Sequence, residues 1–260
     1  MRNTFENFMR NNGIDYFSIV PFDKCIVINE SMLKRHFSGV TPKSVMIFVV
    51  PYYTGDYPER NVSLYAVPRD YHIYFKSLYA SLIQELGEGG NQYIFKGYAD
   101  SSPIAEVHIA AASGLGIIGD NGLLINEKHG SFIFIGEIIT DYRFESYDEI
   151  KPVLMCEHCG ICAAVCPSRL SKDECLSGIT QKKGELTERE IELIRKSGIA
   201  WGCDLCQTVC PHNSDISLTK IDFFYQDIRS VLDVNCDIEG RAYQWRGEKC
   251  IQRNIKLLKG

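Results

Sequence analysis

Residues 156–167 read CEHCGICAAVCP, with thiols at Cys156, Cys159, Cys162 and Cys166 and a closing Pro167. Three thiolates from a C-x2-C-x2-C loop plus a distant fourth is how a short peptide wraps an iron–sulfur cube. In the bacterial two-cluster run the last cysteine serves the other cluster. A second group, Cys203, Cys206 and Cys210 followed by Pro211, is one ligand short, and Cys175 supplies it. Exchanging the last member of each run assigns Cys156, Cys159, Cys162 and Cys210 to one [4Fe–4S] cluster. Cys166, Cys175, Cys203 and Cys206 then form the other. Zinc would need two tetrahedral sets of C-x2-C pairs, which accounts for neither the crowded third and fourth cysteines nor the two prolines. Cys25, Cys236 and Cys250 fall outside the pattern and read as small buried hydrophobes.

Around that core, 260 residues with 45% hydrophobic and 23% charged side chains describe a globular chain of one large or two modest domains. A formal charge of −5 gives no overall nucleic-acid signature. The tail RAYQWRGEKCIQRNIKLLKG is a local exception, opposing Arg241, Arg246, Lys249, Arg253, Lys256 and Lys259 to Glu248 alone. It reads either as a solvated helix face or as a polyanion-binding patch. The first residues lack a signal-peptide h-region, and the longest apolar runs are strand-sized, so a soluble, cytoplasmic protein with no membrane partner is expected. Thiols stay reduced in that compartment, and eleven cysteines there argue for metal rather than disulfides.

Along the chain, the opening residues predict a helix ended by Gly13. SVMIFVVPYY (44–53) predicts a buried strand, and DYHIYFKSLYASLIQEL (70–86) an amphipathic helix capped by Asp70 and stopped at Gly87. A strand then runs through YIFKGYA into a turn, followed by the short helix IAEVHIAAAS, a glycine-dense segment, and strands in GLLIN and SFIFIGEIIT. This alternation ends near Lys151-Pro152. The helical insert LTEREIELIRKSG separates the two cysteine groups, and the chain after Thr219 reads as helical. The expectation is an α+β protein: residues 1–151 form one α/β-type domain, 152–219 a ferredoxin-like two-cluster domain, and 220–260 a helical extension.

Clusters pass electrons but do not themselves transform a substrate, so a site for chemistry is sought before them. Asp100, at a strand end ahead of Ser101-Ser102-Pro103, reads by itself as a cap. Gly114, Gly116 and Gly119 have G-x-G-x-x-G spacing. They follow a helix rather than a strand, and no acidic residue closes a βαβ unit, so a dinucleotide site is rejected. These glycines are read instead as permitting close approach of backbone to a bulky cofactor or to packed helices.

Several segments together resemble the epoxyqueuosine reductase family, cobalamin-dependent iron–sulfur enzymes of tRNA modification. They are LYAVPRDYH (64–72), YADSSPIAE (98–106), SGLGIIGDNGLLI (113–125), GSFIFIGEIIT (130–140), the cysteine run with Cys175, GCDLCQTVCPHN (202–213) and GRAYQWRGEKCIQRN (240–254). The resemblance implies a corrinoid bound by the first domain, reduced through two [4Fe–4S] clusters, that removes the epoxide oxygen of epoxyqueuosine in tRNA. It implies an external donor such as a flavodoxin or ferredoxin, and tRNA contact through the basic tail. It maps the proton donor onto Asp100, whose pKa a partly desolvated pocket would raise. It also brings Tyr65, Asp70, Tyr71, Asp100, Ser131 and Gly136 near the corrinoid. His72 reads as a core histidine, and His158 and His212 as neighbours rather than ligands of the clusters. The chain departs from the family at Asp120, where a lysine is usual, and it has little room for the helical repeat module of longer members. Two alternatives follow: a related corrinoid iron–sulfur reductase of another substrate, similar to reductive dehalogenases, or a two-cluster electron carrier.

Overall fold

A computed structural model describes residues 1–87 and 93–259. It is a mixed α/β structure in which the chain forms two compact units, Met1–Pro51 with Tyr74–His158, and Tyr52–Ile73 with Cys159–Gly260. The segment 52–73, expected in the first domain, therefore belongs to the unit that holds most of the cysteines.

The first unit is built on an antiparallel sheet in the order β1-β2-β6-β3, formed by Phe17–Pro21, Ser44–Pro51, Ile133–Thr140 and Phe95–Ala99. All eight residues of β2 are buried, as its unbroken β-branched and aromatic run requires of an inner strand. Strand β6 pairs with β2 on one side and β3 on the other, so Ile47 and Tyr98 both lie opposite Glu137. The sheet divides its residues by alternation. Val45, Ile47, Val49, Tyr98, Ile135 and Ile139 join a core with Phe37 of helix α2 (Glu30–Phe37) and with Ile109–Ala112 of helix α4 (Glu106–Ala112). On the opposite face, Phe48 packs against Phe5 of helix α1 (Arg2–Asn11) and against Phe75 and Tyr79 of helix α3 (Tyr71–Gly87), with ring centroids 6.3–6.4 Å apart.

Two glycines on this face make room for those rings. A Cβ on Gly136 would lie 2.5–2.6 Å from Phe48 and Phe75, and one on Gly97 would lie 2.5 Å from the Tyr79 ring. Gly136→Ala is expected to cost about 1–3 kcal/mol through overpacking, read as a lower urea midpoint. A substitution that leaves the midpoint unchanged contradicts this packing.

The glycine-dense segment forms a hairpin of β4 (Ile117–Ile118) and β5 (Leu124–Ile125). A Cβ on Gly116 would meet the Ile125 carbonyl oxygen at 2.3 Å, and one on Gly119 the Asn121 side chain at 2.5 Å. These glycines thus admit neighbouring chain within a hairpin, rather than a cofactor or a second helix.

In the second unit, helices α6 (Leu176–Gln181), α7 (Glu188–Ser197), α8 (Leu205–Thr208) and α9 (Glu248–Lys259) contribute to a small apolar core around Leu176, Ile179 and Ile194, and α5 (Ile161–Val165) packs against α8. Helix α7 has a capping box, Thr187 and Glu190 each bonding the other's backbone N–H, and ends at Gly198 with φ +69°. Asn254 is buried and donates to the carbonyls of Thr180 and Ala200 at 2.7 and 2.8 Å, which holds α9 against that core. The region after Thr219 is less helical than its sequence implies. Only Asp222–Tyr225, Gln244–Arg246 and α9 are helical there, the first two as single 3-10 turns. Arg229, Arg241 and Asn61 tie the intervening chain down through backbone bonds instead.

Candidate functional site

The turn after β3 is an irregular hinge rather than a helix start. Asp100 sits at φ +66°, a conformation that aspartate tolerates better than most residues, and Ser101 N–H bonds back to the Ala99 carbonyl at 2.8 Å. Helix α4 does not begin until Glu106, so Asp100 caps nothing at Ser101. The far side of the turn is clasped by residues 26–29: Ile28 N–H and Asn29 N–H donate to the Pro103 carbonyl, and Ala105 N–H to that of Ile26. Ser102 Oγ accepts from Ile104 N–H at 3.0 Å and donates to the carboxyl of Glu137.

Asp100 itself is exposed, so in the protein alone it is not the desolvated carboxyl expected from the sequence. The buried acids lie behind it. Glu137 is fully buried in the middle of β6, where its neighbours on the same face are Ile135 and Ile139. Burial, reinforced by the charge of Glu106, pushes its carboxyl up to about 8 against the Ser102 hydrogen bond. Burial and the charge of Asp100 push Glu106 up to about 7. Each glutamate keeps one sealed oxygen, Oε2, without a hydrogen-bond partner. Tyr79 braces the arrangement: its hydroxyl donates to the Tyr98 carbonyl and accepts from Glu137 N–H at 3.2 Å.

Neither glutamate stands out as a site residue in the sequence. The available signal is a lone acid in the otherwise apolar strand IFIGEIIT, because a buried charge is expensive unless it is neutralised or paired. It has a measurable consequence. Glu137 titrates near 4.5 as an ordinary carboxyl but near 8 when folded. Its contribution is fully present below the lower value, because the folded protein keeps a proton that the unfolded chain sheds above it. That stability is lost as pH rises through the upper value. Wild-type urea midpoints should therefore fall between about pH 5 and about pH 8, and Glu137→Gln should flatten the slope. An equally steep variant would contradict the assignment.

Among the six candidate corrinoid contacts, Asp100, Tyr65 and Asp70 retain surface that a ligand can reach, whereas Tyr71, Ser131 and Gly136 are buried. Tyr65 accepts a hydrogen bond from the Trp201 indole at 2.9 Å and packs edge-on against Tyr71. Asp70 accepts from His72 N–H at 2.9 Å and contacts its ring, bearing out the helix cap. His72 is exposed and stacked on Tyr71, not in the core. Asp100, Ser131 and Gly136 belong to the first unit; Tyr65, Asp70 and Tyr71 belong to the second.

None of the eleven cysteines is in a disulfide. Cys156 belongs to the first unit and the other seven predicted ligands to the second. The donor set fits iron–sulfur ligation on two observations. Cys166 lies against Ser168 Oγ at 3.3 Å and the N–H groups of Ser168, Arg169 and Leu170, which together outweigh burial and favour its thiolate. Cys203, raised to about 12 chiefly by burial, also feels the charge of Asp204 and, after it, those of Cys206 and Cys175, its predicted co-ligands. His158 turns to Asp120, with Nδ1 2.6 Å from its carboxylate, and both lie within 4.8 Å of Cys156. The acid that departs from the usual lysine thus has a partner in the cysteine loop.

The basic tail is thinner than its sequence. Arg241 is buried on the Val67 carbonyl, and Arg253 is spent on the carbonyls of Lys182 and Gly184. Arg246 stacks 3.7 Å over Trp245, leaving Lys249, Lys256 and Lys259 as the exposed cations of the six. Among the described residues, no helix is long and apolar enough to cross a membrane.

No family model matches the chain. Curated proteins do. It is 31% identical over 206 residues to the epoxyqueuosine reductase of Lactococcus garvieae, covering 72% of this chain and 57% of that protein. It is 36% identical over 163 residues to that of Pseudomonas aeruginosa, covering 58% and 44%. The chain thus spans about half the length of these relatives. Among solved structures, an epoxyqueuosine reductase bound to an epoxyqueuosine-modified tRNA-Tyr stem loop superposes with a TM-score of 0.78 at 20% identity, over 99% of this chain and 80% of that one. The epoxyqueuosine reductase from Bacillus subtilis, with its catalytic aspartate loop swung out of the active site, gives 0.74 at 19%, with the same coverage.

Proposed function

We propose that this chain, which belongs to the epoxyqueuosine reductase family, removes the epoxide oxygen of epoxyqueuosine in a tRNA anticodon loop to leave queuosine. The observation that carries the reading is the Asp100 turn. It presents an exposed acid at the end of β3, held from behind by Ser102 and Glu137 and from the side by residues 26–29. Relatives support it, one solved with a modified tRNA stem loop and another with its catalytic aspartate loop swung out.

Cys156, Cys159, Cys162 and Cys210 would hold one [4Fe–4S] cluster, and Cys166, Cys175, Cys203 and Cys206 the other. Of the six candidate contacts, Tyr65, Asp70 and Asp100 have surface with which to hold a corrinoid, whereas Tyr71, Ser131 and Gly136 are buried. When bound, the clusters and the corrinoid supply low-potential electrons, singly through iron–sulfur and as a pair at cobalt. Residues 1–151 would form the catalytic domain, 152–219 the relay, and 220–260 an extension whose exposed Lys249, Lys256 and Lys259 meet RNA phosphates. A one-electron carrier of the flavodoxin or ferredoxin class would refill the relay.

The chain's own part in the chemistry is to hold and deliver protons. A C–O bond that breaks toward oxygen needs an acid there, and the exposed Asp100 carboxyl is the acid this turn presents. Ser102 keeps the turn in register with β6 through its bond to Glu137. The test is anaerobic. The protein is reconstituted with iron, sulfide and cobalamin, reduced, and given an epoxyqueuosine-modified stem loop. Loss of one oxygen from the modified base, read by mass spectrometry, is expected. A protein that binds cobalamin yet leaves the RNA unchanged overturns the reading.

A further inference from the structure

In the proposed reaction, electrons pass singly from a carrier of the flavodoxin or ferredoxin class through the relay. One enters and one leaves at each stage, with no bond made or broken there. The reduction potential governs that exchange, and it answers to net charge, to hydrogen bonds at the sulfurs and to solvent exposure. Resting on Cys156 as a cluster ligand, we propose that Asp120 tunes the relay. Its carboxylate, held beside the Cys156 sulfur by His158, lowers the potential of the cluster bound there.

The placement is built by the β4–β5 hairpin. Ile118 forms a parallel bridge with Met155, in which Ile118 N–H donates to the Leu154 carbonyl and Cys156 N–H to the Ile118 carbonyl, both at 2.9 Å. The start of the cysteine loop therefore lies along β4, one short step from the hairpin turn. That turn is closed by Gly119 N–H on the Leu123 carbonyl at 2.9 Å and Gly122 N–H on the Gly119 carbonyl at 2.8 Å. Asp120 sits in it, and its carboxylate, the Cys156 sulfur and a ring nitrogen of His158 all lie within 4.8 Å of one another. A carboxylate only accepts, so the proton of the 2.6 Å contact is assigned to His158 Nδ1. The Asp120 side chain is 27% exposed, so water damps its field at the sulfur only in part. All three residues belong to the first unit. Cys156, Cys159, Cys162 and Cys210 already supply four thiolates, which leaves Asp120 as a neighbour rather than a ligand. The sign follows from charge alone. Reduction adds an electron beside a fixed anion and is disfavoured by it, so neutralising Asp120 raises the potential.

The experiment compares wild type, Asp120→Asn and Asp120→Glu as full chains reconstituted with iron and sulfide. Each is titrated potentiometrically at one fixed pH, with reduced clusters read by electron paramagnetic resonance. Asparagine keeps an oxygen for the His158 N–H and removes only the charge, so a merely structural tie would survive it. In that variant one of the two reduction waves should move to higher potential while the other stays. The expected shift is about tenfold in the one-electron equilibrium, or about 59 mV. Asp120→Glu, which restores the charge, should bring the wave back toward its wild-type position. Two waves that stay put in the Asn variant overturn the proposal while the ligand assignment stands. So does an equal shift of both waves, which reports net charge rather than a placed one. An Asn variant that assembles a single cluster makes Asp120 a structural tie, and also overturns the proposal. A wild type that never holds two clusters sinks the ligand assignment, and the proposal with it.

Discussion

Asp100→Asn is expected to reduce conversion of the modified stem loop by about 100-fold or more while leaving the fold and the absorption of bound cofactors unchanged. The size follows from the loss of a general acid, which is commonly worth about 10²–10⁴ in rate. Its selectivity follows from the local structure. Asp100 is exposed at φ +66°, and asparagine is among the few residues that share aspartate's tolerance for that conformation. The Ser101–Ala99 backbone bond that closes the turn does not depend on the side chain. Asp100→Ala is a poorer test, since alanine strains the turn and mixes a conformational loss with a chemical one. Single-turnover conversion after anaerobic reduction, with cofactor spectra recorded on the same sample, separates the two. An Asn variant that converts the RNA at the wild-type rate would remove Asp100 from the chemistry.

Part of this was legible in the residues. An unbroken run such as Val45–Val50 can only be an inner strand, and T-E-R-E before an apolar stripe can only start a helix, because local chemistry decides both. The cysteine spacing is legible for the same reason, since a cube restricts the loops that wrap it. What the residues did not disclose depends on contacts distant in sequence. Glu137 is a lone acid in an apolar strand, and the Ser102 hydroxyl that bonds one of its oxygens lies 35 residues away. Arg241 and Arg253 count as cations in a composition but are tied to carbonyls 174 and 71 residues away. Gly116, expected to admit a bulky cofactor or a packed helix, instead meets the Ile125 carbonyl where its Cβ would stand.

Asp204 belongs to the same class, and its loss should be the largest single stability effect in the second unit. It lies between Cys203 and Cys206 and is 3% exposed. Its carboxylate accepts from Ser63 Oγ, from Leu64 N–H at 2.6 Å and from Arg60 Nη2 at 3.4 Å. Beside it, Val62 bridges to Trp201, and Gly202, at φ +71°, leaves no room for a Cβ next to Ser63. The 60–64 segment is thereby fastened to the cysteine loop by an acid that appears in the sequence only as a spacer. Asp204→Ala leaves a buried N–H and a guanidinium without their acceptor, a loss of about 3–5 kcal/mol, against total stabilities of about 5–15 kcal/mol. Asp204→Asn should cost less, because its amide oxygen can accept from Leu64 N–H and Arg60 while its N–H groups donate to Ser63 Oγ, leaving mainly the charge opposite Arg60 unanswered. Urea unfolding of the two variants beside wild type decides the matter. An Asn variant within about 1 kcal/mol of wild type, the scale of one ordinary hydrogen bond, would mean that the three donors do not need a charge.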